Sequence, residues 1–188
     1  MSWQDAWQPV VDAVGTDFGG DEAIEGADAV DASALRRYLE PLELDCPLHH
    51  DERVAREHGY PGIVAPFSSY FTFVAPPIWR PGEPPVFTSD ERDAQPEGVG
   101  VRRFATGLEP PCTGYFAADF ELDLLQPVVL GDRLTRTGMR LVACTPKETS
   151  VGRGAFMTWE WEAHNQRAEV VARFRNTMYL YNPRPEDG

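Results

Sequence analysis

The C-terminal part of the chain alternates apolar and polar residues over long segments. Residues 154–165, GAFMTWEWEAHN, place apolar side chains at every second position after the glycine, with mostly polar residues between them. Residues 115–125, 133–144 and 168–181 form three further segments of this kind. A period of two is typical of strands with one buried face, so the pattern predicts an antiparallel meander with one face on the core. In residues 115–125 the side predicted to face the core consists of Phe116, Ala118, Phe120, Leu122 and Leu124.

Three helices are predicted in the first 60 residues, from apolar positions at helical spacing and from residues that favour helix ends. Asp31 or Ser33 is a candidate N-cap of the second helix, and Asp51 is the candidate N-cap of the third. The three predicted helices span residues 3–14, 31–42 and 51–59, and a short strand is expected within residues 19–30.

A nearly uncharged segment, YPGIVAPFSSYFTFVAPPIW, extends from Tyr60 to Trp79. Its apolar pattern suits a buried helix or a buried strand equally well. Pro66 fits the first turn of a helix, where its missing N–H is least harmful, and Pro76 and Pro77 would stop that helix about ten residues later. We therefore predict a buried central helix.

Residues 80–114 are rich in Pro, Gly and charge. A connection of this length is typical of either a mobile surface excursion or a lid over a binding site. Because helices come first and long strands follow, the order of elements predicts an α+β domain in which a sheet packs on one main helix.

The amino-acid composition indicates which kinds of binding partner and which cellular compartment to expect. A chain of 188 residues with 42% hydrophobic residues has enough apolar material for one globular domain. Its formal net charge of −13 argues against nucleic acid and membrane surfaces as partners. The start lacks a signal-peptide pattern, and three widely separated cysteines are typical of reduced thiols, so we expect a cytoplasmic protein.

Two adjacent histidines, His49 and His50, stand in the motif CPLHHD. This motif lacks the paired Cys or His spacing of structural zinc sites, so no metal is predicted. Neighbouring side chains point in different directions on a regular backbone, and one ring is therefore expected to be buried while the other faces water.

Two longer stretches carry a resemblance to a known family. Residues 35–66, LRRYLEPLELDCPLHHDERVAREHGYPGIVAP, and residues 120–142, FELDLLQPVVLGDRLTRTGMRLV, resemble the two halves of the MaoC-like hydratases and dehydratases, in the form of the N-terminal-type domain. The resemblance implies α+β architecture with a single hotdog fold, a long curved antiparallel sheet wrapped around a central apolar helix. The implied divisions are an N-terminal helix and linker (1–21), a hotdog domain (22–181) with a loop insertion (80–114), and a tail (182–188).

The same resemblance places site residues on this chain. Active members use an Asp and a His five residues later to hold water and shuttle a proton, and a backbone N–H at the start of the central helix polarises the thioester. The family's His corresponds to His49, its Asp to Leu44 and its helix-start Gly to Pro66. Leucine does not orient water and proline has no N–H to donate.

Two readings of that site stay open. In the first, the motif is shifted by one residue relative to the family pattern, and Asp45 and His50, which are also five residues apart, serve as the acid and the base. In the second, a partner chain supplies both groups. In either case the N–H of Phe67 or Ser68, next to Pro66, would have to polarise the substrate.

The resemblance implies a function in hydration of enoyl thioesters or dehydration of 3-hydroxyacyl thioesters. The substrate would be an acyl thioester of coenzyme A or acyl carrier protein, and no cofactor is expected. We expect a substrate-binding, catalytically degenerate subunit, as a homodimer or as a heterodimer with a second hotdog subunit. The alternatives are a self-sufficient hydratase using Asp45 and His50, or His49, and a non-catalytic acyl-thioester binding module. Candidates for contact with coenzyme A phosphates are Arg80, Arg102, Arg103 and Arg175.

Overall fold

The structure, a computed structural model of the chain, describes residues 2–20, 23–92, 94 and 104–184. Within these ranges a curled antiparallel sheet of five strands carries short helices on one face. The helices are α1 (Gln8–Asp12), α2 (Ala32–Leu39), α3 (Glu52–Glu57) and α4 (Tyr70–Val74), and the strands are β1 (Ile24–Glu25), β2 (Gly114–Leu124), β3 (Thr135–Glu148), β4 (Gly152–His164) and β5 (Val170–Pro183).

The strand order in the sheet is β1-β3-β4-β5-β2. The predicted meander is right for β3, β4 and β5 and wrong for β2, which pairs with β5 rather than with β3. The link between β2 and β3 explains the difference, because it contains Pro127 and crosses the domain instead of forming a hairpin. Along that link Gln126 donates to the carbonyl of Val171 on β5, and the carbonyl of Val128 accepts from Ala65 ahead of α4.

An irregularity in β2 changes which of its side chains face the core. Phe116 pairs with Tyr179, whereas Phe120 pairs with Asn176, and the register shifts between Ala117 and Asp119. An extra residue in one strand reverses the alternation beyond it. The ring of Phe116 therefore contacts Tyr179 on the outer face of the sheet, so the prediction that it shares a side with Phe120 is wrong.

The inner face of β4 confirms the predicted alternation. Its apolar positions are almost fully buried, while the residues between them are half-buried on the outer face. These inner residues divide between two core clusters. One packs Trp161 and Phe174 against α4, and the other packs Trp159 against the N-terminal segment through Trp7. Phe104 contacts both clusters.

The helix starts follow the predicted caps. The carboxylate of Asp31 accepts from the N–H groups of Ser33 and Ala34, and that of Asp51 accepts from Arg53 and Val54 at the start of α3. The N-terminal helix begins as a 3-10 turn at Trp3–Trp7 and continues as α1, packed on the sheet rather than standing apart from it.

The central helix is present but short and only half-buried. A 3-10 turn, Phe67–Ser69, leads into α4, which ends just before Pro76 and Pro77. Tyr70, Phe73 and Val74 are buried, whereas Phe67 and Phe71 are 60% and 45% exposed. The described residues between α4 and β2 contain no helix or strand, which agrees with the predicted long connection. Arg102, Arg103 and the tail from residue 185 lie outside the described residues.

Candidate functional site

His49 lies at the end of a 3-10 turn, Pro47–His49, that packs beside the entry to the central helix. Its Nδ1 is 2.7 Å from the carbonyl oxygen of Val64, and the N–H of Val64 donates in return to Leu48. A carbonyl oxygen only accepts, so Nδ1 carries the proton and Nε2 of the neutral ring keeps a lone pair. The half-buried ring is thus fixed in one tautomer and orientation.

His50 and Asp45 are exposed and do not form a pair in the described structure. Nε2 of His50 is 2.8 Å from the carbonyl oxygen of Leu44, whose own side chain is 36% exposed. Asp45 makes no hydrogen bond or ion pair with a described residue. An acid and a base acting together must first be within hydrogen-bond reach. The structure of the single chain therefore keeps the two groups separate.

Pro66, Phe67 and Ser68 form the start of the central helix as predicted. Pro66 is the buried N-cap, and its carbonyl accepts from both the N–H and the hydroxyl of Ser69, at 2.9 and 2.6 Å. Phe67 and Ser68 are exposed. Their N–H groups belong to the first turn, where a helix offers no carbonyl acceptor of its own. These are the N–H groups nearest to the position where Pro66 offers none.

Tyr70 anchors this helix to the crossing link. Its hydroxyl oxygen accepts from the N–H of Val128 at 2.8 Å and lies 3.5 Å from the carbonyl oxygen of Gln126. Burial raises the pKa of the Tyr70 phenol, so the group stays neutral over the physiological range. The helix start and the crossing link are consequently held together near His49.

A cavity of about 890 Å³ opens at the opposite, C-terminal end of the central helix. None of His49, His50, Asp45, Phe67 or Ser68 lines it. Its wall is mixed, with charged side chains including Glu25 and Arg80 beside an apolar set: Phe18, Pro76, Ile78, Phe104, Met139 and Trp161.

Of these lining residues the sequence-based prediction named only Arg80, as a candidate contact for coenzyme A phosphates. Two signals pointed toward the cavity: the alternation of β4 placed Trp161 on the inner face, and one of the two interpretations of residues 80–114 was a lid over a binding site. The opening itself follows from the early end of α4 and from the position of the N-terminal segment, and both are non-local.

A second, smaller cavity of about 460 Å³ is lined mainly by charged residues such as Asp17, Arg140 and Arg173. Beside it, Arg175 forms ion pairs with Glu160 at 2.9 Å, Asp123 at 3.3 Å and Glu121 at 3.5 Å. The hydrogen bond that Arg175 donates to Glu160 raises the pKa of the Arg175 guanidinium further. Three carboxylates already neutralise this side chain, which makes it a poor contact for a phosphate.

Among the described residues, no group of three or more His, Cys, Asp or Glu side chains is arranged to hold a metal ion. No helix in the described ranges has the length and apolar character needed to cross a bilayer.

Residues 13–174 match the family model for the FAS1-like, dehydratase domain region. A probable enoyl-CoA hydratase alpha subunit from Thermomonospora curvata is 26% identical over 185 residues, which is 98% of this chain and 54% of that protein. The chain thus spans about half the length of this curated relative.

Solved structures show the same fold. The ChsH1-ChsH2 complex of Mycobacterium tuberculosis contains a chain with a TM-score of 0.65 and 21% identity, covering 98% of this chain and 97% of that one. A MaoC-like dehydratase from Rhodospirillum rubrum has a TM-score of 0.51 and 23% identity, over 88% and 93% of the two chains. The expected α+β hotdog architecture is therefore confirmed.

Proposed function

The chain belongs to the FAS1-like dehydratase region family and has the MaoC-like hotdog fold, and on this premise we propose that it is the substrate-binding subunit of a heteromeric hydratase. The enzyme would hydrate enoyl thioesters or dehydrate 3-hydroxyacyl thioesters, and a second hotdog subunit would supply its acid and base. Coenzyme A or acyl carrier protein would enter as part of the substrate.

The state of the histidines carries the proposal. Hydration of an enoyl thioester places water at C3 and a proton at C2. An acid and a base must therefore both lie within reach of the same bound substrate. His49 is oriented by the backbone carbonyl of Val64, and no described carboxylate lies within ion-pair distance of His49 or His50. With leucine at residue 44, this chain has the histidine of the family's Asp–His pair but not the acidic residue.

The large cavity supports a role in binding the acyl group. A volume of about 890 Å³ lies within the range of small-molecule sites, which are concave and lined by apolar side chains with a few polar groups. The apolar wall would bury the acyl chain, and burial of each methylene contributes roughly 0.8 kcal/mol. Arg80, which lines the cavity, would contact a polar part of the ligand.

A second subunit is suggested by the exposed edge of the sheet and by the relatives. In the described part of the chain β2 is an edge strand, which pairs with β5 and has no strand on its other edge. Phe120 and Leu124 on its inner face are 45% and 50% exposed. An unpaired, apolar edge strand is a surface that proteins normally cover. The similar solved chain comes from a complex of two proteins, and the curated relative is called an alpha subunit.

In the assembled enzyme the residues of this chain would bind and orient. The acyl group would lie along the central helix and enter the cavity, while the N–H groups of Phe67 and Ser68 mark the helix end at which a thioester oxygen would be polarised. His49, fixed through Nδ1, would present Nε2 as an acceptor for a water or a hydroxyl.

Co-expression with a second hotdog subunit that retains an Asp and a His at five-residue spacing tests the proposal. We expect the purified complex to hydrate an enoyl-CoA and this chain alone to show no turnover. In the complex, replacing the partner's Asp should abolish the rate, whereas Asp45→Asn in this chain should leave it within about twofold of wild type, since Asp45 makes no hydrogen bond or ion pair with a described residue.

Efficient hydration by the lone chain would contradict the proposal. Loss of that activity in both Asp45→Asn and His50→Ala would then identify a self-sufficient hydratase that uses this pair. Binding of acyl-CoA without turnover in any complex would favour a binding module instead.

A further inference from the structure

We propose that Trp161 determines which acyl groups this chain accepts. Its ring forms the wall between the large cavity and an aromatic strip on the central helix, which consists of the exposed side chains of Phe67 and Phe71. This inference rests on the proposed role in acyl binding and adds the residue that sets specificity. Trp161 lines the cavity, is 2% exposed and contacts the strip through Phe71.

Three contacts fix the indole ring in place. It stacks on Phe174 with ring centroids 3.9 Å apart and an angle of 4°, and its Nε1 donates to Oδ1 of Asn176 at 3.1 Å. The guanidinium of Arg136 lies 5.9 Å from the ring centroid, within reach of a cation–π contact. A side chain held from three directions forms a rigid wall, and a rigid wall discriminates ligands by size.

The aromatic strip leads from the start of the central helix to this wall. Phe67 lies in the 3-10 turn and Phe71 in α4, and both are exposed. The ring of Phe71 lies 5.6 Å from Phe120 at the sheet edge, 6.4 Å from Phe174 and 6.2 Å from Trp161. Ring contacts therefore link Phe71 on the central helix with Trp161 at the cavity.

An acyl chain that lay along the strip would meet Trp161 before it filled the cavity. A smaller ring at this position would open space between the strip and the cavity, so branched or cyclic acyl groups would gain space while slender chains would lose contact area. One buried methylene changes affinity roughly fourfold. We therefore expect selectivity between bulky and linear acyl groups, rather than affinity in general, to change.

The experiment compares Trp161→Phe with Trp159→Phe in the complex with the second subunit. Trp159 is a suitable control because it is fully buried on the same strand and inner face but does not line the cavity, and its Nε1 has no partner among the described residues. Dissociation constants are measured by calorimetry for straight-chain and branched acyl-CoA thioesters of equal carbon number.

Trp161→Phe should change the ratio of the two dissociation constants by about fivefold in favour of the branched thioester, and Trp159→Phe should leave it within about twofold. Thermal unfolding confirms that each variant is folded, and Trp161→Tyr replaces the first variant if it is not. An unchanged ratio in a folded Trp161 variant, or an equal change in both variants, would overturn the inference while the proposed function stands. Failure of the wild-type complex to bind any acyl-CoA would overturn the proposed function and this inference together.

Discussion

Cys144 shows how the surroundings of one side chain set its chemistry. The thiol packs against the cluster around Trp159, and burial, aided by nearby Glu109, raises its pKa from 9.0 to about 11. Burial likewise raises the pKa of the Cys112 thiol. A thiol that stays protonated is a weak nucleophile, so these two cysteines act as small apolar residues of the core.

The raised pKa of Cys144 predicts a dependence of stability on alkaline pH. The folded state holds the proton more tightly than the unfolded state, so the contribution is fully present below about pH 9 and is lost as the pH rises through about 11. Denaturant unfolding of wild type and Cys144→Ala at pH 8 and pH 10.5 measures it, under reducing conditions. The wild type should lose more unfolding free energy between the two pH values than the variant, and equal losses would contradict the assignment.

At the scale of elements, the crossing link between β2 and β3 gives the sheet its strand order, and Asp132 fixes the end of that link. The buried carboxylate, 2% exposed, accepts from the N–H of Val129 and from the side-chain amide of Gln166, each at 2.8 Å. Gln166 lies in the turn between β4 and β5, and Arg167 beside it approaches the same carboxylate at 3.8 Å. One side chain thereby joins two connections that are distant in sequence.

Asp132→Ala should reduce the free energy of unfolding by about 2–3 kcal/mol, because it leaves a buried N–H and an amide without their charged acceptor. Urea denaturation measures the change. Asp28→Ala is the matched control, since Asp28 is exposed and makes no hydrogen bond or ion pair with a described residue. A midpoint for Asp132→Ala equal to that of the control would show that the two connections are held by other contacts.

At the scale of the whole molecule, Phe67, Phe71, Phe120 and Leu124 are exposed apolar residues on the central helix and the sheet edge, a kind of surface that proteins often cover with a partner. The surface adjoins the unpaired edge of β2 and the start of the central helix, so a partner that covered it would also stand next to His49. The net charge of −13 disfavours close approach of two identical chains, which is one reason to expect a different subunit there.

Phe120→Lys should prevent assembly, because an inward charge on an edge strand opposes pairing with another chain. Light scattering after size exclusion, with and without the second subunit, reports the assembly. Val151→Lys introduces the same charge at a similarly exposed apolar residue in the β3–β4 turn and should leave assembly intact. A Phe120→Lys protein that retains the wild-type mass, or an equal loss in both variants, would place the interface elsewhere.

Local pattern was sufficient for much of the fold. Alternation predicted the inner face of β4, the caps Asp31 and Asp51 predicted two helix starts, and paired prolines predicted the end of the central helix. These features depend on neighbours within a few residues, where backbone geometry and hydrogen bonding act directly. The motif around His49, with leucine where the resemblance implies an acid, was likewise readable from the sequence.

Contacts between distant residues decided the rest. The position of β2 beside β5, the reversed side of Phe116 and the cavity walled by Trp161 depend on the crossing link, on one extra residue in a strand and on how early α4 ends. Five-residue spacing made Asp45 and His50 a candidate pair, but spacing does not fix side-chain direction in an irregular segment, and His50 bonds to the Leu44 carbonyl. The sequence by itself thus determined most of the elements and the motif around His49, whereas only the tertiary structure determined which strands meet, which faces are buried and where the cavity opens, because those depend on packing between segments far apart in the chain.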